Sequence, residues 1–254
     1  MPLGHHPELR DRVSAFTRAL LASAPAVPGL DASIVIAPRR LHLTLGVMSL
    51  ASPAPAPPPA ATTSDASQDA AAPQRTLDAA LALLHALAPR VRTLLGGAPL
   101  RVALERVDVM RPDGGDPARA HVLWAGPAPG GEGTRVLRRV AEFVSGEFRK
   151  AGLVVDERRP LKLHCTVLNT VYRRPRPTSG RAPFSYTALL STPAFEAIKM
   201  RTQEVAEVER EQRQRKTTPV EVNLGEYTVD EIQICEMGSW GPEGEYVSVG
   251  SIAL

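Results

Sequence analysis

The feature that most constrains the fold is a nine-residue pattern that occurs twice in the chain. "RRLHLTLGV" occupies residues 39–47 and "LKLHCTVLN" occupies residues 161–169. In both stretches polar and apolar residues alternate, and such alternation predicts a β-strand with one buried face. Successive side chains of a strand point to opposite faces, so each stretch would pack its apolar row on a core and present its polar row on the other side.

The polar rows of the two predicted strands carry the same residue types in the same order. They are Arg40, His42 and Thr44 in the first stretch, and Lys162, His164 and Thr166 in the second. Histidine titrates near neutrality, so two imidazoles that face one another can act as base and acid. A threonine hydroxyl can hold a phosphate oxygen, and this chemistry requires neither a metal nor a cofactor. One His–x–Thr match is a common coincidence, whereas two in the same setting favour a shared catalytic site.

Composition restricts the class of protein further. The net charge of +3 and the pI near 9.1 suit an anionic ligand but are weaker than those of a dedicated DNA-binding protein. Two cysteines, Cys165 and Cys235, form neither a disulfide framework nor a metal motif, which indicates a reducing compartment. No apolar run approaches the roughly 20 residues of a membrane helix, and the N-terminus has no signal-peptide core. We expect a monomer of the nucleus or the cytoplasm that contacts no membrane.

Periodicity and turn signals predict an α+β arrangement. Helices are predicted over residues 7–23, 74–96, 133–152 and 195–216, and further strands over residues 100–110, 120–124, 220–224, 229–235 and 245–254. Residues 51–73 are rich in alanine and proline and have little to bury, which predicts a disordered low-complexity loop within the domain. The order of the elements repeats loosely in two halves.

The chain resembles the two-histidine (2H) phosphoesterase superfamily at "PRRLHLTLGV", at "GLVVDERRPLKLHCTVLNTVYR" and at the closing "VDEIQIC…EYVSVGSIAL". Within it, the chain is most similar to the branch of the activating signal cointegrator complex subunit one and the A-kinase-anchor-protein phosphoesterase domain. The resemblance implies a single domain over residues 1–254 with a bilobal, 2′,5′ RNA ligase-like fold. Two pseudo-symmetric sheet-plus-helix halves would enclose a central cleft.

The resemblance also implies phosphodiesterase chemistry on RNA ends, cyclic phosphates or short oligonucleotides. His42 and His164 would be the acid–base pair, and Thr44 and Thr166 would hold the phosphate. Which histidine is the base stays open. The alternative is a non-catalytic subunit of a helicase-containing complex for transcription coactivation and DNA repair, which would use the cleft to bind nucleic acid or protein.

Two departures from the family pattern give rise to further expectations. In the family a strand precedes the first helix, whereas this chain begins at "MPLGHHPELR", so we expect that strand to be missing. A long charged stretch at residues 203–216 replaces the family's last helix. Its alternating charges are typical of a solvated helix face.

Three residues are further candidates for substrate binding. Arg40 and Lys162 would lie at the rim of the cleft and attract an anion, or else be solvated strand ends. Tyr246, in the last predicted strand, would stack on a base, or else pack at the core or at an edge of the sheet.

The other notable residues have simpler interpretations. The arginines of the loop "YRRPRPTSGRAP" could contact a nucleic-acid backbone, but a solvated loop is the favoured interpretation. Cys165 would be a small buried apolar residue, and His85 and His121 would be structural. His5 and His6 would lie at a frayed end.

Overall fold

The long helices form where hydrophobic periodicity predicts them. The computed structural model describes residues 1–51, 75–154, 160–200 and 219–254. Its helices are α1 (Pro7–Leu21), α2 (Leu77–Leu95), α3 (Glu132–Lys150), α4 (Tyr186–Leu190) and α5 (Pro193–Glu196). The Thr76 side chain accepts a hydrogen bond from the amide of Ala79 at the start of α2, and Gly96 ends that helix with φ 62°. Local sequence therefore determines where these helices begin and end.

The strands form an antiparallel sheet and two smaller pairs. They are β1 (Arg101–Ala103), β2 (Arg106–Val109), β3 (Val122–Gly126), β4 (Cys165–Asn169), β5 (Val220–Glu221), β6 (Glu226–Thr228), β7 (Glu231–Cys235) and β8 (Ser248–Ala253). Within the described residues the main sheet has the order β4-β3-β2-β5, while β1 pairs with β6 and β7 with β8. The predicted α+β class is confirmed.

The strand predicted at residues 100–110 is divided in two. β1 pairs with β6, whereas β2 lies between β3 and β5 of the main sheet. The change of partner occurs at the junction, where the Leu104 amide donates to the carbonyl of Gly225 and the Glu105 amide to that of Gly126. The alternation changes phase at this junction: Leu100, Val102 and Leu104 are buried before it, and Val107 and Val109 are buried after it.

The first repeated stretch is not a ladder strand, which corrects the prediction for residues 39–47. A 3-10 turn covers Pro38–Arg40, and isolated antiparallel bridges then join Pro2 to His42 and Leu43 to Cys165. The predicted alternation of faces is nevertheless confirmed, because Leu41 and Leu43 are buried while His42 and Thr44 are partly exposed. Packing against the core fixes the face of each side chain even where regular pairing is absent.

The N-terminal residues are ordered, so the expectation of a frayed end at His5 and His6 was wrong. Leu3 is fully buried, and its amide donates to the Leu41 carbonyl at 2.9 Å. His6 Nε2 lies 2.7 Å from the Thr228 carbonyl oxygen. Residues 1–3 therefore line the first repeated stretch and tie it to the C-terminal part of the chain.

Two predicted segments extend past the described residues. The low-complexity loop at 51–73 lies outside them apart from residue 51, and so do residues 201–216 of the predicted charged helix. The part of that helix that the structure describes is shorter than predicted, because α5 ends at Glu196 and Lys199 then bridges to Val222. Pairing with the strand region after residue 219 overrides helical propensity there. No helix in the described part of the chain is long and apolar enough to cross a membrane.

The Leu43 side chain is the clearest test of this packing. Leu43 is 1% exposed, so replacement by alanine leaves a cavity, and we expect Leu43→Ala to lower the free energy of unfolding by about 2–5 kcal/mol. Urea denaturation followed by circular dichroism measures the change. The matched control is Leu21→Ala, at a site that is 39% exposed, where the change should stay within about 0.5 kcal/mol. Equal effects of the two substitutions would contradict the assignment of Leu43 to the core.

Candidate active site

A single antiparallel bridge brings the two repeated stretches side by side. Leu43 pairs with Cys165, and both side chains are buried in the core. Extending this register by one residue in each direction sets His42 opposite Thr166 and Thr44 opposite His164. Side chains directly opposite in an antiparallel pair have Cβ atoms about 4.5–5.5 Å apart. The stretches therefore meet with their polar rows on one face.

This register would set the four polar side chains at the corners of a quadrilateral. Because the stretches are antiparallel, His42 and His164 would then stand at opposite corners and the two threonines at the other two. Burial is the main cause that lowers the pKa of His42, and the charge of His164 contributes to it. An anion at the centre would have an imidazole on either side and a hydroxyl at each remaining corner. This is the arrangement that in-line displacement with a separate base and acid requires.

Both imidazoles are oriented by the same backbone contact. His42 Nδ1 lies 2.7 Å from the Arg40 carbonyl oxygen, and His164 Nδ1 lies 2.8 Å from that of Lys162. A carbonyl oxygen only accepts, so Nδ1 carries the hydrogen and Nε2 of the neutral ring carries the lone pair. In each stretch, therefore, the residue two before the histidine sets the tautomer through its main chain.

The two Nε2 atoms differ in what they contact. His42 Nε2 lies 3.0 Å from Thr44 Oγ1, so the hydroxyl donates to it in the resting state. Among the residues that the structure describes, His164 Nε2 has no hydrogen-bond partner. The Nε2 lone pair of His164 is thus free to accept a proton, whereas that of His42 already accepts a hydrogen bond from Thr44.

Burial holds both histidines in the neutral form. Desolvation lowers the pKa of His42 and of His164 from the ordinary 6.5, and the backbone hydrogen bonds at Nδ1 offset part of this effect. The nearby charge of Lys162 also lowers the pKa of His164. Binding of a phosphate anion would act in the opposite direction and favour protonation of one ring.

Each histidine is accompanied by an aromatic ring and a stacked cation. Beside His42, Tyr246 makes an edge contact with the ring at 5.1 Å between centroids, and the Arg40 guanidinium lies 3.6 Å from the Tyr246 centroid. Trp124 makes the corresponding edge contact with His164 at 6.4 Å. Lys162 Nζ lies 3.9 Å above the Trp124 ring. Cation, aromatic ring and imidazole therefore recur as a set at both histidines.

The predicted position of Arg40 at the rim differs from the structure. Arg40 is only 6% exposed, and its guanidinium donates to the Ser239 carbonyl oxygen at 2.7 Å and stacks on Trp240 at 4.1 Å. It thereby fixes the loop between β7 and β8 to the first repeated stretch. Lys162 is exposed, as expected of a rim residue, although burial of its amine partly lowers its pKa. A substrate contact by either cation remains a prediction.

Tyr246 lies in this loop rather than in the last strand, because β8 begins at Ser248. A groove of about 960 Å³ runs past it and is lined by His42 and Thr44, but not by His164 or Thr166. The second repeated stretch thus borders a different part of the surface. We define the candidate site as the face that the two repeated stretches share. The groove extends this site beside the first stretch.

Sequence reasoning missed the two tryptophans. Trp124 and Trp240 stack on the cations of the two sets. Alternation in β3 assigns Trp124 to one face, but its position beside His164 follows from its pairing with Thr166 across the sheet. A local sequence pattern carries no signal for such long-range pairing.

The predictions that Cys165 is a buried apolar residue and that His121 is structural are confirmed. Cys165 is buried in the core, and burial raises its pKa to about 12, so it is no nucleophile. His121 is buried between Thr170 and Asp113, at 2.8 Å and 3.0 Å, and His85 is exposed on α2. These contacts explain why neither belongs to the repeated pattern.

The described residues also contain one group with closely spaced metal-ligating atoms. It consists of His5, His6 and Asp230, and it includes neither His42 nor His164. Two of its ring nitrogens already contact protein oxygens, namely Asp230 Oδ2 and the Thr228 carbonyl oxygen. The paired histidines are therefore separate from these ligating atoms.

Nuclear magnetic resonance can test the tautomer and the pKa of both histidines. We expect ¹⁵N shifts typical of the Nδ1–H form for His42 and His164, because a carbonyl accepts from each Nδ1. Titration should give pKa values below 6.5 for both rings, since burial disfavours the charged form. Assignment uses His42→Gln and His164→Gln. An Nε2–H form, or pKa values above 6.5 in the free protein, would contradict the geometry.

Two comparisons with known proteins identify the family of the chain. The family model of the AKAP7 2′,5′ RNA ligase-like domain matches residues 72–254, more than two thirds of the chain. The matched region contains His164, Thr166, Lys162 and Tyr246, whereas the first repeated stretch precedes it. The match therefore covers the second repeated stretch and not the first.

The chain is also similar to a curated protein. The chain is 28% identical over 174 residues to the mouse protein "Activating signal cointegrator 1 complex subunit 1", an alignment that covers 68% of this chain. The chain spans only 42% of the length of that relative. Together the comparisons confirm the predicted resemblance to the 2H phosphoesterase superfamily and its cointegrator branch. The chain belongs to the family of the AKAP7 2′,5′ RNA ligase-like domain.

Proposed function

We propose that the protein is a phosphodiesterase that acts on RNA ends or short oligonucleotides, at a cyclic phosphate or at a 2′,5′ or 3′,5′ linkage. The observation that carries the proposal is the bridge between Leu43 and Cys165, because it brings the two His–x–Thr stretches side by side. The family match and its 2′,5′ RNA ligase-like description support the same chemistry. Arg40, Lys162 and Tyr246 are the proposed substrate-binding residues.

The reaction uses the two imidazoles in opposite roles. For a cyclic phosphate, Nε2 of one neutral histidine takes a proton from water while the water oxygen forms a bond to phosphorus. The bond from phosphorus to one ribose oxygen breaks, and that oxygen receives the proton from Nε2 of the other, protonated histidine. Thr44 and Thr166 donate hydrogen bonds to the non-bridging oxygens, where negative charge accumulates. Protons return to their starting positions through water, so the imidazoles alone supply the acid and the base.

We also propose that the two halves are related by pseudo-symmetry around a cleft. Support comes from the recurrence of the same set at each histidine: a carbonyl at Nδ1, an aromatic edge contact and a cation on that aromatic ring. Duplication of one unit accounts for the repetition of basic–x–His–x–Thr in the sequence. The single-domain assignment for residues 1–254 belongs to this proposal.

A second candidate function is supported by the relative and by one surface. The mouse protein is named as a subunit of a complex, and a chain of this type could serve a helicase-containing coactivator and repair complex in the nucleus. Met237 and Trp240, in the loop between β7 and β8, are 73% and 65% exposed. Large exposed apolar side chains are common at protein interfaces. In this alternative the cleft binds without turnover.

Substitution of each histidine distinguishes the two candidates. We expect His42→Ala and His164→Ala each to reduce hydrolysis of a 2′,3′-cyclic nucleotide or a 2′,5′-linked dinucleotide by about 10²–10⁴-fold, because each removes the base or the acid. The assay contains EDTA, and the control is His85→Ala on the exposed face of α2. Circular dichroism confirms that the variants fold.

Equal turnover by the wild type and both variants would remove the enzymatic proposal. Capture of the same helicase-containing complex by the wild type and by both inactive variants would then favour the second candidate. Loss of turnover in the His85→Ala control would show that the assay reports on stability rather than on chemistry.

A further inference from the structure

The two sides of the candidate active site differ in charge. The groove on the side of His42 is lined by four glutamates and two arginines, and Arg39 pairs with Glu243; the six are Glu231, Glu236, Glu243, Glu245, Arg39 and Arg40. On the side of His164, burial is the main cause that lowers the pKa of the Lys162 amine, Asp108 raises this pKa, and Arg106 and Arg111 lower it. A polyanion that extends from the histidines along the second side would therefore meet three cations and one carboxylate.

The sheet provides a continuous face on that side. Thr166 of β4 pairs with Trp124 of β3, and Trp124 pairs with Asp108 of β2, so the three side chains share the face of the site. Val122 lies two residues before Trp124, and Met110 lies two residues after Asp108. Because β2 and β3 are antiparallel, both residues lie on the same face at the same end of the sheet. Two residues of a strand advance about 7 Å. A nucleic-acid chain that extends from the threonines along this face would therefore next meet Val122 and Met110.

A cavity of about 470 Å³ opens at this point. It is lined by Met110, Arg111, Asp113, His121, Val122 and Arg181. The two arginines come from different parts of the chain: Arg111 follows β2, and Arg181 lies in the loop after β4. Their convergence on one cavity is a property of the fold rather than of a local basic run.

The acidic residue of the cavity already contacts two protein side chains. Asp113 Oδ2 lies 3.0 Å from His121 Nε2 and 3.2 Å from an Arg119 nitrogen, and the contact with His121 is the main cause that lowers the pKa of Asp113. Arg181 donates one hydrogen bond to the Asn169 side chain and keeps its other N–H groups. In the described part of the chain Arg111 has neither a hydrogen bond nor an ion pair. The cavity therefore offers guanidinium donors in excess of its acceptors.

The backbone at Arg111 is strained. Its φ of 40° makes it the one non-glycine residue with positive φ in the described residues. A long side chain adopts this region only when the surroundings enforce it, and such outliers cluster at ligand sites. Arg111 has this conformation where the chain leaves β2 and lines the cavity.

We propose that Arg111 and Arg181 form a second phosphate subsite, which binds the internucleotide phosphate next to the scissile one in a single-stranded oligonucleotide. The proposal rests on the proposed phosphodiesterase function and specifies its substrate: an oligonucleotide is favoured over a mononucleotide. It also assigns different roles to two arginines of the loop after β4. Arg173 pairs with Asp31 and bonds the Gly29 carbonyl oxygen, so it is structural, whereas Arg181 remains available to a ligand.

Chain-length preference is the direct test. Turnover is measured for a 2′,3′-cyclic mononucleotide and for a tetranucleotide with the same cyclic end. We expect the wild type to show a kcat/KM roughly tenfold higher for the tetranucleotide, since charged hydrogen bonds to a phosphate contribute at that level. The double variant Arg111→Gln, Arg181→Gln should lose this preference and keep the mononucleotide rate. The matched control is Arg90→Gln, an exposed arginine of α2.

A binding measurement separates failure of the subsite from failure of the proposed function. Fluorescence anisotropy with a phosphorothioate tetranucleotide gives the slope of log K against log salt. In the double variant this slope should become shallower by about 0.7 for each phosphate that the arginines no longer bind. If no substrate is turned over but the slope becomes shallower, the subsite stands and the enzymatic proposal fails. An unchanged slope, or a length preference that the double variant retains, would overturn the subsite.

Discussion

The candidate site depends on one contact between distant parts of the chain, the antiparallel bridge from Leu43 to Cys165. Both side chains are buried in the core, so the hydrophobic effect stabilises the bridge. The polar neighbours lie on the opposite face of the two stretches. A strand alternates strictly, so burial of this pair turns His42 and Thr44 toward the same side as His164 and Thr166. Core packing and the placement of the polar groups are thus one constraint.

The second constraint is the orientation of each imidazole by main chain. A carbonyl two residues before each histidine accepts from Nδ1, which fixes the tautomer without any side-chain partner. The residue that supplies the carbonyl is in both cases a cation whose side chain lies on an aromatic ring, Tyr246 or Trp124. The basic position of the repeated pattern therefore has a structural role that is independent of substrate. Arg40 shows this role most clearly, because it is buried and also holds the loop between β7 and β8.

The local parts of the structure were predictable from sequence, and the pairings were not. Helices α1, α2 and α3 form near their predicted bounds because caps and apolar stripes are local signals. The faces of His42 and Thr44 were likewise correct, since alternation alone decides them. The division of residues 100–110 between two sheets, and the position of Trp124 beside His164, depend on partners far away in the chain. Propensity carries no information on which strand becomes a neighbour.

Charge links the site to its surroundings. Lys162, Arg111 and Arg181 lie on the side of the second repeated stretch, whereas four glutamates and two arginines line the groove on the side of the first. The site is thus nearly symmetric in its reacting groups but asymmetric in its potential. Such an arrangement can hold a phosphate between equivalent imidazoles while it selects the direction in which a nucleic-acid chain leaves.

A crystal structure with a nucleoside vanadate tests the central claim most directly, because the vanadate has the geometry of a phosphate under attack. We expect one vanadate whose oxygens lie about 3 Å from both Nε2 atoms, of His42 and of His164, with Thr44 and Thr166 on its remaining oxygens. A vanadate that contacts only one histidine, or that binds away from both, would contradict the convergence of the two His–Thr pairs.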